Sequence, residues 1–218
     1  MNSSRHNRHR VLTNTLGALI FSTSLIAFAQ DGNSDGEWPS YAADAGSTKY
    51  TSLSQIDGSN FAGLEIAWRW QSIDGELDFE ALLGLDAEVG FGRLQATPLM
   101  IDGVLYLLTA LNQVVALDAV SGEELWRYDP EVYMSGVSNS PLGFHHRGVA
   151  WWSDGDESRV LMTTNDGFII SLNAETGELD TDFAGGRIDM TNDIPRAERD
   201  VLDYTGAQPL GGVSPPTV

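Results

Sequence analysis

Acidic residues cluster twice at short range: Asp118, Glu123 and Glu124 in Ala116-Leu-Asp-Ala-Val-Ser-Gly-Glu-Glu-Leu-Trp126, and Asp154, Asp156 and Glu157 in Asp154-Gly-Asp-Glu157. Paired carboxylates can serve acid–base catalysis or hold calcium. The second cluster is oxygen-rich but lacks the spaced ligands and closing Glu of a calcium loop, so it is expected to be a hairpin turn. His145 and His146 are adjacent. Neighbouring side chains on a strand point to opposite faces, which makes them a poor chelating pair and puts at least one on the surface. Lys49 is the only lysine, so Schiff-base chemistry has a single candidate, in a polar stretch with nothing to depress its pKa. No cysteine occurs, which excludes disulfides, thiolate metal sites and Cys nucleophiles.

The chain is acidic, with a formal charge of -19. Arg5, Arg8 and Arg10 precede a mostly apolar run that ends Ala27-Phe28-Ala29, the order of a secretory signal peptide. Thr13, Asn14, Thr15, Ser22, Thr23 and Ser24 interrupt that run, which favours a cleaved signal over a membrane anchor. Residues 1–29 are therefore expected to be removed, leaving 30–218 exported to the periplasm. Without those three arginines, nine basic residues face 31 acidic ones. So negative a surface repels phosphate backbones and anionic lipid, and nucleic-acid binding is excluded as a function class.

The elements that carry these residues are expected to be short strands. Gly is frequent, with 23 residues, and apolar runs lie between Gly, Asp and Asn clusters. Residues 104–123 match 159–178 without a gap at a spacing of 55. Thr109/Thr164, Leu117/Leu172, Ala119/Ala174, Gly122/Gly177 and Glu123/Glu178 are identical, and Asp118/Asn173 and Ser121/Thr176 keep the same chemistry. Each unit reads as strand, turn, strand, and then a turn in which Asp or Asn accepts backbone hydrogen bonds and Gly supplies positive φ. Repeats of this size, each unable to bury its faces alone, point to an all-β fold built as a β-propeller. A β-sandwich would leave the repeat unexplained. The first acidic cluster is thus a turn rather than an active site. Residues 189–204, of mixed polarity, could hold a short helix in a long connection.

At this point the residues resemble a known family. Residues 116–126 are similar to the tryptophan-docking motif, Ala-x-Asp-x-x-Thr-Gly-x-x-x-Trp, of quinoprotein dehydrogenases that use pyrroloquinoline quinone. Trp38-Pro-Ser-Tyr41, Gln95-Ala-Thr-Pro-Leu99 and Arg147-Gly-Val-Ala-Trp-Trp152 resemble its opening segment and the starts of successive blades. The resemblance implies an eight-bladed propeller, of which two to three blades fit here. Ser214-Pro-Pro-Thr-Val218 resembles the start of another blade strand, so the chain is expected to be an N-terminal part truncated at its C-terminus. Trp126 would dock between blades, and Thr181 stands at the matching place 55 residues on, where a weaker contact is expected.

The same resemblance implies the site. Arg147 matches an Arg that contacts a cofactor carboxylate or carbonyl, a task suited to its fixed fork of donors. Gln95 stands where many members have Glu, keeping the size but not the charge. Thr163 and Thr164 fall where members place a cofactor-contacting hydroxyl, with a one-residue register left open, and Ser214 lies near another polar contact. Pro141-Leu142 replaces the adjacent cysteines of methanol-type members, which tilts the assignment toward the sugar and polyol branch. The implied function is oxidation of a sugar, polyol or other alcohol by hydride transfer to pyrroloquinoline quinone. Electrons would pass to ubiquinone or cytochrome c. The family's calcium ligands and catalytic Asp come later in the propeller, so no catalytic residue or metal ligand is assigned here. A non-catalytic propeller serving as a binding or assembly scaffold is the alternative.

Overall fold

Turn chemistry cuts the chain into two four-stranded meanders. The computed structural model describes residues 36–44, 46–78, 94–135, 144–190, 192 and 214–216. All of them belong to the unit Asp31–Val218. The expected signal peptide and most of 189–204 lie outside the described residues. Among those described, no helix is long and apolar enough to cross a membrane.

The first sheet comprises β1 (Leu99–Ile101), β2 (Val104–Leu108), β3 (Val114–Asp118) and β4 (Glu124–Tyr128), antiparallel and in chain order. The second comprises β5 (Ala150–Ser153), β6 (Ser158–Thr163), β7 (Phe168–Asn173) and β8 (Arg187–Asp189), in the same order. The architecture is the all-β, partial β-propeller that the repeat implies.

Period-two alternation divides each strand between two faces. Tyr106, Leu108, Val114 and Ala116 of the first sheet pack with Val160, Met162, Ile170 and Leu172 of the second in one buried cluster. The alternate residues Leu107, Val115 and Leu117 pack beneath Trp68 and Trp70. Fully burying a side chain of this size contributes about 1.5–3 kcal/mol, so the inter-sheet seam is the main source of stability.

The repeated turns are built alike. Asp118 Oδ1 accepts from Val120 N at 3.1 Å and Ser121 N at 2.7 Å, and Asn173 Oδ1 accepts from Glu175 N at 2.9 Å and Thr176 N at 3.0 Å. Gly122 and Gly177 close the turns at φ 74° and 72°. Each turn receives an indole from the preceding segment: Trp68 Nε1 donates to Ala119 O at 3.1 Å, and Trp126 Nε1 to Ala174 O at 3.0 Å.

The last strand of the second sheet departs from the repeat. Leu172 bridges Leu179 just as Leu117 pairs with Glu124, at the common offset of 55. Beyond that, Ile170 pairs with Arg187 where Val115 pairs with Arg127, an offset of 60. Five extra residues are therefore looped out between Leu179 and Arg187. Thr181, the match to Trp126 at the offset of 55, lies exposed in that loop and not on β8. Asp180 in the loop instead accepts from Arg159 Nε at 2.7 Å and Ser171 Oγ at 3.0 Å.

Candidate functional site

The register of β1 on β2, Leu99 with Tyr106 and Ile101 with Val104, sets the start of β1 beside the end of β2. The second sheet repeats this, with Ala150 on Leu161 and Ser153 on Ser158. Gln95, Arg147, Thr163 and Thr164 consequently gather at one end of the two sheets. The two lead-ins are joined there, since Thr97 N donates to Arg147 O at 2.8 Å. The approach is tight: a Cβ on Gly148, at φ 141°, would lie 2.9 Å from Thr97 O. The glycine of Arg147-Gly148 is thus needed for backbone contact, while the Arg147 side chain remains exposed.

Arg147 borders a cavity of about 390 Å³ together with Tyr41, Asp44, Trp151 and Ser214. Residues 39–44 reach it because Trp38 pairs with Met100 of β1 through two backbone hydrogen bonds, of 2.8 and 3.1 Å. Thr163 is tied to the same place, its Oγ1 donating to Ser214 O at 2.8 Å. Gln95 is exposed on the lead-in to β1 and does not line the cavity.

Thr163 and Thr164 do different work. Thr163 Oγ1 lies 2.9 Å from His146 Nε2. Thr164 Oγ1 pairs with Asp166 and accepts from Phe168 N at 2.9 Å, holding the β6–β7 hairpin. Its repeat partner Thr109 does the same for β2–β3, accepting from Gln113 N at 3.1 Å.

His145 and His146 are both buried, at 8% and 1% exposure, which corrects the expectation of a surface histidine. They precede β5 on a lead-in that is not itself a strand, so strand alternation does not govern which way they face. His146 Nδ1 accepts from Gly148 N at 3.2 Å. With that nitrogen the acceptor, the proton of the neutral ring is on Nε2, which donates to Thr163 Oγ1, leaving the hydroxyl proton for Ser214 O. Burial pushes the His146 pKa down to about 4, so the ring is neutral near pH 7. The chain of donors from Gly148 to Ser214 has one consistent direction. The sequence contained a signal for it only in that His146 precedes Arg147.

A second polar node lies under the β2–β3 hairpin. Asp74, in the 3-10 turn Ile73–Glu76, accepts from Thr109 Oγ1 at 2.9 Å, Leu111 N at 3.2 Å and Gln113 Nε2 at 3.3 Å. Burial raises its pKa against the opposing effect of the Thr109 and Leu111 donors. Asp154 Oδ1 accepts from Asp156 N and Glu157 N across the β5–β6 turn, at 3.0 and 2.9 Å. Among the described residues, no group of three or more His, Asp or Glu side chains could hold a metal ion.

Residues 38–218 match the family model described as the glucose/ethanol/alcohol dehydrogenase β-propeller domain, labelled PQQ. The chain belongs to this PQQ dehydrogenase propeller family. Within it, the chain is 36% identical over 167 residues to quinohemoprotein alcohol dehydrogenase ADH IIB of Pseudomonas putida, covering 77% of this chain and 21% of that protein. It is 27% identical to quinoprotein glucose dehydrogenase A of Acinetobacter calcoaceticus, over 78% of this chain and 22% of that protein. The crystal structure of quinohemoprotein alcohol dehydrogenase from Comamonas testosteroni superposes with a TM-score of 0.57 at 26% identity, covering 72% of this chain and 20% of that one. The PQQ-family chain thus spans about a fifth of the length of these relatives.

Proposed function

We propose that this chain is the N-terminal part of an exported, periplasmic dehydrogenase that oxidises a sugar, polyol or other alcohol with pyrroloquinoline quinone. Electrons then pass to ubiquinone or cytochrome c. The observation that carries the proposal is the convergence of Arg147 and Ser214 on one cavity in a family-matched propeller, with Thr163 tied to Ser214 by its carbonyl.

The residues present fit a flat, anionic, carbonyl-rich ring. Arg147 offers a permanently charged planar fork, and Trp151 an aromatic wall on the same cavity. Arg147 and Ser214, which line the cavity, are proposed to hold the cofactor, and Gln95, Thr163 and Thr164, which do not line it, to act from around it. Of these, Arg147 supplies charge, and the His146–Thr163–Ser214 chain fixes the position of the Ser214 backbone. Thr164 acts through the hairpin it closes. When bound, pyrroloquinoline quinone supplies the two-electron acceptor for alcohol oxidation. Calcium is proposed to accompany it, held by residues other than those named here.

The test is titration with pyrroloquinoline quinone and calcium, followed by dye reduction with alcohols, polyols and aldoses in a protein that contains this chain and the remaining blades. Arg147→Gln should weaken cofactor binding by at least about tenfold, or about 1.4 kcal/mol. Absence of cofactor-dependent dye reduction with every substrate would end the dehydrogenase proposal. The 218-residue chain alone is expected to show no turnover.

A further inference from the structure

We infer that His146 is a positioning residue for Arg147: a single imidazole, protonated on Nε2 alone, braces two walls of the cavity, the Arg147 lead-in through Nδ1 and the Ser214 segment through Thr163. His146 does not itself line the cavity. As a brace it stands by itself; as an aid to cofactor binding it rests on the function proposed above.

The peptide unit between Arg147 and Gly148 is held at both of its polar atoms. Its oxygen accepts from Thr97 N at 2.8 Å, and its nitrogen donates to His146 Nδ1 at 3.2 Å. Gly148 is required for the close approach to Thr97 O, and its φ of 141° is one that residues with a Cβ rarely adopt. Glycine's wide choice of φ would by itself leave the plane of this peptide poorly fixed. The imidazole removes that freedom by reaching two residues forward along its own chain, as Asn and Asp side chains do in turns. The orientation of the peptide sets ψ of Arg147, and with it where the Arg147 Cβ points relative to the β1 lead-in. Among the described residues no hydrogen bond or ion pair holds the exposed Arg147 guanidinium, so the backbone aims it.

The same ring reaches a second wall. Its Nε2 lies 2.9 Å from Thr163 Oγ1, which donates to Ser214 O at 2.8 Å, and Arg147 and Ser214 both line the cavity. Both contacts require one protonation state. A ring protonated on Nδ1 would set two N–H groups against each other at Gly148 and draw the Thr163 proton away from Ser214 O, and an imidazolium would lose the Gly148 bond. Burial disfavours the charged ring, and the neighbouring His145 acts in the same direction. A side chain that only filled space could be exchanged for another of like volume. His146 instead works through two nitrogens of opposite role.

The experiment uses the protein of the cofactor titration above, isotopically labelled at histidine nitrogen. Without cofactor and near pH 7, imidazole NMR should show His146 protonated on Nε2 and not on Nδ1. In fluorescence titrations His146→Ala should weaken pyrroloquinoline quinone binding at least about tenfold, but no more than about threefold where Arg147→Gln is already present, since the brace acts mainly through Arg147. His146→Asn, whose shorter side chain still accepts from Gly148 N, should bind the quinone more tightly than His146→Gln, which reaches Thr163 instead. A purely structural role would lower affinity equally with and without Arg147. A ring protonated on Nδ1, equal losses in the two backgrounds, or tighter binding by His146→Gln than by His146→Asn would each overturn the inference. If His146→Ala does not fold, the wild-type tautomer and the order of the other two variants decide. If the wild-type protein binds no quinone, the cofactor proposal fails and the tautomer alone decides the brace, Nε2 upholding it and Nδ1 removing it.

Discussion

The indole of Trp126 lies so close over Gly177 that a Cβ added there would meet the ring at 2.5 Å. A Cβ added to Gly122 would meet the Trp68 ring at 2.4 Å, so the contact recurs with the repeat. Gly177→Ala combines this overlap with a φ of 72°, and should lower unfolding free energy by about 2–4 kcal/mol. Gly155→Ala, at φ 99° with open space around it, should lose only about 1–2 kcal/mol. Chemical denaturation of the two variants checks this, and equal losses would show that the indole is not seated on the turn.

His146 gives a pH dependence with a definite sign. Its folded pKa is about 4, below the ordinary 6.5, so above pH 6.5 neither state is protonated and the group costs nothing. As pH falls from 6.5 toward 4, the unfolded chain takes up a proton that the folded chain refuses, and stability is lost. The shift corresponds to about 3 kcal/mol across that window. His146→Gln keeps a donor for Thr163 but cannot titrate, and should flatten the slope of stability against pH between 4 and 6.5. An unchanged slope would mean that His146 is not buried neutral.

Asp74 has the opposite sign. Because its pKa is raised, the folded state keeps this proton to higher pH than the unfolded chain does, and its contribution declines as pH rises through the carboxylate range. Asp74→Ala strands the buried donors of Thr109, Leu111 and Gln113, and should cost about 2–3 kcal/mol at pH 7. Denaturant titration of that variant, with loss of hydrogen-exchange protection at Leu111, is the measurement.

Gly148→Ala drives a Cβ to 2.9 Å from a backbone oxygen that has no rotamer to escape into. It should cost about 1–3 kcal/mol and separate Thr97 from Arg147. Cofactor titration should show a matching fall in pyrroloquinoline quinone affinity although no side chain near the cavity is lost. Wild-type stability in this variant would show that the lead-ins are not in contact.

Local chemistry made much of the fold legible. Asp118 and Asn173 satisfy turn amides and Gly122 and Gly177 adopt positive φ because of their own side chains, so the repeat can be read directly. Trp126 was legible as a docking residue through the family resemblance, whose motif sets it at a fixed distance from the turn. The fate of Thr181 was not, because five residues looped out after Leu179 shift the pairing of β8 and leave Thr181 in the loop. A loop of this kind changes hydrogen-bond register without leaving a local motif.

The candidate site divides in the same way. Residue types and spacing alone determined an all-β repeat of strands and turns, and the family resemblance placed Arg147 at a strand lead-in. Tertiary structure decided what the lead-ins touch. It separated Thr163, which joins His146 to Ser214, from Thr164, which closes a hairpin. It buried both histidines where strand alternation would expose one. It also brought Tyr41 and Asp44 across about a hundred residues of chain to Arg147. Alternation and turn propensity act over a few residues, whereas burial and cavity walls are properties of which sheets meet, and no local pattern encodes that meeting.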